Sequence, residues 1–182
     1  MPDEDAEVGD HYDRVTRQLH WATAALVAIL WAMGRLTVLL PRGQLRLDVW
    51  SVHVLLGFTF VVVIVSRIGW RATKGRKLLP AKRGVRHLAA NLMHGLLYFL
   101  LVGVAGLGIL NVLAHGFPLF GMLDFPKVGG ADYDRVVNGW HNLFANMLFG
   151  AAVLHACAAL FHHHVIKDRV LRRMWSPTRH LR

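Results

Sequence analysis

Apolar residues fall into four long runs, separated by stretches that are basic or rich in glycine and proline. The runs cover residues 19–39, 49–70, 88–112 and 139–165. Each is long enough to cross a bilayer core as a helix, which takes about 20 residues. Pro41 closes the first run, since proline lacks an N–H and crowds the preceding turn. Only a few residues join the first two runs, so their helices are expected to be antiparallel neighbours. The pattern predicts an all-α fold, an integral membrane four-helix bundle. No solenoid-type repeat or low-complexity tract interrupts it.

Composition agrees. Of 182 residues, 54% are hydrophobic and 18% charged, a balance ordinary for a small membrane protein and unusual for a soluble domain. The chain reads as an acidic tail (1–13), a transmembrane domain (14–177) and a short basic tail (178–182). Cys157 is the single cysteine, so no intrachain disulfide can form, and no C-x-x-C-H motif could attach a haem covalently.

Charge then orients the bundle. The first thirteen residues carry six acids (Asp3, Glu4, Asp5, Glu7, Asp10 and Asp13) and no Lys or Arg. That acidic start is unlike a secretory signal peptide. The remaining 21 basic residues would suggest nucleic acid in a soluble protein. Here they lie between and after apolar runs, which marks topology, so no nucleic-acid partner is expected. Arg14 and Arg17, the connection from Arg67 to Arg86 and the tail from Lys167 onward hold 16 of them. The other side holds five: Arg35, Arg42, Arg46, Lys127 and Arg135. The positive-inside rule then places both termini in the cytoplasm of a multi-pass protein of the bacterial inner membrane.

Of twelve histidines, five lie inside the spans: His20, His53, His94, His141 and His155. Ionisable groups in a membrane interior are costly and mark function by default. The topology sorts four into two depths: His20 with His155 on the cytoplasmic side, and His53 with His141 on the outer side. His141 and His155 are fourteen residues apart, a rise of about 21 Å in close to four turns, so they share one helix face near opposite surfaces. Two stacked b-type haems, each with bis-histidine ligation, require this geometry. A lone intramembrane histidine is often only bonded to a neighbouring helix; two depth-matched pairs weaken that reading. Zinc would want three or four ligands at one depth, and these are split between two. The same step from His53 reaches Arg67, a candidate for a haem propionate. From His20 it reaches Gly34, and Gly57 follows His53 by four residues; both would leave room for a flat macrocycle.

The motifs YDRVTRQLHW, SVHVLLGF, MHGLLYFLL followed by GLGIL, RVVNGWHNLFAN and LHACAALFHHHVIKDRVLRRMW resemble the bacterial cytochrome b561 family, closest to its small di-haem, superoxide-oxidising members. The likeness runs from about Tyr12 to Pro177. It implies a four-helix bundle, two non-covalent haem b groups on His20, His53, His141 and His155, and superoxide oxidised on the outer side with electrons passed to ubiquinone. Arg42, Arg46 or Lys127 could then steer the superoxide anion, or simply sit among lipid headgroups. His162, two turns beyond His155, could serve the quinone, or join His163 and His164 in a polar interfacial collar. His94, left without an obvious partner at inner depth, could bond a propionate, line the quinone pocket or make a plain interhelical bond. An alternative keeps the haems and makes the chain a relay subunit between a redox partner protein, a periplasmic dehydrogenase or hydrogenase, and the quinone pool; a haem-free metal transporter is a further rival. Gly103, Ala105, Gly106 and Gly108 read as close-packing positions. Trp21, Trp31, Trp50, Trp70, Trp140 and Trp175 read mostly as interfacial anchors against membrane lipid, with Trp140 placed to edge the outer haem.

Overall fold

The computed structural model describes residues 12–74 and 85–167, with Leu171 and Met174. The acids of the N-terminal tail before Tyr12, the basic residues 76–83, Trp175 and the tail that follows lie outside the described residues. Four helices carry the fold: α1 (Arg14–Leu36), α2 (Gln44–Thr73), α3 (Val85–His115) and α4 (Ala131–His164). All four are long and apolar enough to cross a membrane.

The helices overrun the apolar runs, most of all α4, which starts at Ala131 rather than near residue 139. Apolarity marks only the hydrocarbon-thick part of a span, whereas helical hydrogen bonding continues through the interface. Asp132 and Asp134 in the first turn of α4 suit its positive dipole end. At α1 the start is set by Asp13, whose carboxylate accepts from Thr16 N at 2.9 Å and Thr16 Oγ1 at 2.6 Å. The same carboxylate accepts from Trp70 Nε1 at 3.0 Å, fastening the start of α1 to the end of α2. The far end of α1 tightens into a 3-10 turn, Thr37–Leu39, before Pro41.

A short antiparallel hairpin, β1 (Pro118–Leu119) with β2 (Leu123–Asp124), lies between α3 and α4 and was not expected from the hydropathy pattern. Phe120 and Gly121 at its tip both have positive φ, 54° and 71°. The strain at Phe120 is held by a buried anchor: its N–H donates to Ser51 Oγ at 2.8 Å, and Ser51 Oγ donates to Leu47 O at 2.9 Å. Ser51 is fully buried on α2.

Helix α1 packs chiefly on α2, and α3 on α4. The buried core is Val27, Phe60, Ile64, Leu100, Leu101, Val104 and Leu148, drawn from all four helices. Helix α3 does approach α4 closely at its small residues, though not at all of them. A Cβ on Gly103 would stand 2.5 Å from Phe144 Cε1, and one on Gly108 would stand 3.2 Å from His141 Cε1. Gly106 meets nothing within 4 Å, so its side faces away from the contact.

Candidate functional site

The end of the bundle at which α1 begins is termed proximal here, and the opposite end distal. Alternating helix directions put the early residues of α1 and α3 beside the late residues of α2 and α4. Polar groups gather at two levels as a result, with the apolar core between them.

The distal level surrounds a cavity of about 410 Å³. His53 from α2 and His141 from α4 both line it, with Gly34, Gly57 and Gly108 in its walls. The three glycines are what keep the space open. A Cβ on Gly34 would come within 3.9 Å of His53 Cε1, and Gly108 backs the His141 ring. Nδ1 of both histidines is buried, that of His141 against Gly108. Trp50 sets its ring edge-on to His53, with centroids 5.3 Å apart. Phe117 lines the cavity beside the hairpin, and Phe125 stacks on Phe58 of the wall at 6.0 Å.

The proximal level gathers His20, Arg67, His94 and His155. Arg67 Nη2 donates to His20 Nδ1 at 3.1 Å, and the guanidinium lies 5.4 Å over the Tyr98 ring. His94 is not the odd histidine that its position suggested: its ring packs edge-on against His155, with centroids 5.4 Å apart. The cause is the register of α3 on α4. The pairing that sets Gly108 against His141 sets His94, fourteen residues earlier, against His155. His162, on the same helix two turns beyond His155, is half-buried; His163 is half-buried too, its ring 4.8 Å from that of His164. The described residues contain no group of three or more His, Cys, Asp or Glu poised to hold a metal ion.

Other expectations shift. Trp140 does not border the cavity: it is one residue, about 100° of helix turn, from His141, and is 52% exposed against Phe144. Trp50 takes that place instead, and Trp31 also lines the wall, stacked on Phe149 at 3.9 Å. Arg42, Arg46 and Lys127 lie outside the lining. Lys127 is paired with Asp134 at 3.4 Å, which blunts it as a steering charge. The polar lining instead comes from Arg35, Asn111, His115, Asn138, Asn142 and Asn146. The last three, at i, i+4 and i+8 on α4, form a stripe that polar residues at helical spacing inside a span could have signalled.

The sequence from residue 11 to 177 matches the profile of the prokaryotic cytochrome b561 family. The chain belongs to that family. Among its relatives, cytochrome b562 of Cereibacter sphaeroides is 34% identical over 91% of this chain and 96% of its own length. Cytochrome b561 homolog 2 of Escherichia coli is 30% identical, covering 91% of each chain. A protein of Yersinia pestis named probable superoxide oxidase is 29% identical over 88% of this chain and 93% of its own. Membership in the cytochrome b561 family, with four membrane-spanning helices, makes this a multi-pass protein of the bacterial inner membrane that works in electron transfer and whose family cofactor is haem b.

The distal level fits such a cofactor. It offers two imidazoles across one cavity, each with Nδ1 buried, walls cleared by glycine and an otherwise largely apolar lining.

Proposed function

We propose that this chain is a di-haem b cytochrome that carries electrons from superoxide, on the distal and outer side, to ubiquinone on the proximal, cytoplasmic side. One observation carries the reading: imidazoles from different helices gather at two levels, His53 with His141 and His20 with His155, separated by an apolar core. His53 and His141 would hold one haem, His20 and His155 the other. Haem iron with two histidine ligands has no open position, so it supplies one-electron transfer rather than oxygen binding. The excess of basic residues at the proximal end supports a cytoplasmic location for both termini.

The chain's own residues have distinct work. A histidine bound through Nε2 carries its proton on Nδ1, so His20 would no longer accept from Arg67. The guanidinium would then be available for a propionate carboxylate. His162 lies toward the proximal surface, where it could donate a hydrogen bond to a quinone carbonyl and pass on a proton; His94, against His155, belongs to the same end. Each superoxide gives up one electron and leaves as O2, and ubiquinone takes two electrons and two protons to become ubiquinol. The choice of superoxide is supported by the name of the Yersinia pestis relative.

The test is activity in isolation. Purified protein is supplied with enzymatically generated superoxide and a soluble ubiquinone. Quinol should form, and superoxide dismutase should suppress it. Quinol formation only when a dehydrogenase or hydrogenase partner is added would replace this reading with that of a relay subunit.

A further inference from the structure

Among the described residues that line the distal cavity, Arg35 is the only Lys or Arg, and none is Asp or Glu. Arg35 is itself exposed, so its guanidinium stands at the rim of the cavity, open to an anion there. Its partners are neutral. Nη2 donates to Asn146 Oδ1, and the group lies 5.9 Å over the Trp31 ring. Trp31 Nε1 donates to the same Asn146 oxygen at 3.1 Å, so that acceptor is already shared. The ion pairs recorded nearby, Lys127 with Asp134 and Arg135 with Asp132, do not include Arg35, which has no carboxylate partner among the described residues.

Position adds a second constraint. Gly34, the preceding residue, faces His53: a Cβ built there would stand 3.9 Å from its Cε1. Arg35 lies on the wall of the same cavity. A guanidinium fork matches a carboxylate in shape and charge.

We propose that Arg35 holds a propionate carboxylate of the haem seated between His53 and His141. The inference rests on the haem reading above and adds to it the residue that anchors the distal group. Asn146 and Trp31 are positioning residues, since they orient the guanidinium rather than meet the carboxylate.

The experiment uses the full chain with His20→Ala, so that binding at the distal level is read alone. Haem-free protein in detergent is titrated with haem b and with its dimethyl ester, and Soret absorbance follows binding. The parent should bind the ester roughly 10-fold or more weakly, the cost of losing a charge-assisted bond. Arg35→Gln should bind both forms alike, at the level of the ester, and Arg35→Lys should keep part of the preference. Helical circular dichroism confirms that the variants are folded, and Arg35→Lys keeps the test open if Arg35→Gln is not. A parent that binds no haem overturns the haem reading and this inference together. A parent that binds haem, with a variant that keeps the full preference for haem b over the ester, overturns the inference alone. So does an Arg35→Gln protein with unchanged preference that, with His20 restored, shows slower superoxide-driven quinone reduction, which would assign the guanidinium to the substrate anion.

Discussion

Replacing Gly108 with valine is expected to empty the distal level while leaving the fold and the proximal level in place. Gly108 sits on α3 directly behind His141. A Cβ there would stand 3.2 Å from His141 Cε1, closer than such contacts ordinarily fall, and in ordinary contact with Nδ1 at 3.6 Å. One methyl, as in Gly108→Ala, can be met by a shift of a few tenths of an ångström. The branched valine side chain adds two methyl groups beyond that Cβ, which crowds the ring further. Overpacking of this kind costs about 1–3 kcal/mol. Because each 1.36 kcal/mol is about tenfold in an equilibrium constant, distal haem affinity should fall between roughly 5-fold and 150-fold. The assay is the haem-to-protein ratio of purified protein, with a reduced-minus-oxidised spectrum for what remains. Gly106→Val is the matched control, two residues away on the same helix, where a Cβ meets nothing within 4 Å. Gly108→Val with undiminished haem, or Gly106→Val with an equal loss, would refute the argument that glycine at 108 exists to make room for the His141 ring.

Three further outcomes are expected. His53→Ala or His141→Ala should halve the haem-to-protein ratio and spare the group held by His20 and His155; loss of all haem from each single variant would leave the two-level pairing without support. Asp13→Ala removes the cap of α1 and strands the Trp70 indole N–H, so it should lower stability by about 1–3 kcal/mol, read as an earlier thermal melt in detergent. Ser51→Ala removes the acceptor of the half-buried Phe120 N–H and should release the 118–124 hairpin, seen as faster amide exchange there with the helices unchanged.

The helices were legible because a membrane span needs a long apolar run, and the run is visible in the sequence whatever it packs against. The paired depths of His20, His53, His141 and His155 were legible for a related reason. Alternating spans turn sequence position into depth. What could not be read was lateral. Nothing in the pattern says which face of α3 meets α4, so the contact of His94 with His155, and that of Gly108 with His141, had to come from the structure. The same gap explains Trp140, whose place next to His141 in sequence implies a different helix face, and Arg35, which counted only as a topological charge until its wall was known. The hairpin escaped because its tip carries a non-glycine residue, Phe120, at positive φ, a conformation secured by Ser51 sixty-nine residues earlier in the chain.

The buried core has a regular place. Val27 lies seven residues from both His20 and Gly34, Phe60 from His53 and Arg67, Leu101 from His94 and Gly108, and Leu148 from His141 and His155. The core is thus a dielectric partition, midway between two levels about 21 Å apart, and its side chains offer no titratable group to compensate a charge passing through. An electron moving from the distal to the proximal level therefore travels as net charge across about two-thirds of a roughly 30 Å hydrocarbon layer. Against a potential negative inside, that traverse costs about 1.5 kcal/mol per 100 mV, the same fraction of the full-crossing value of about 2.3. In the proposed direction, the energised membrane would act as a brake. Superoxide clearance would then run fastest in cells whose membrane potential has collapsed.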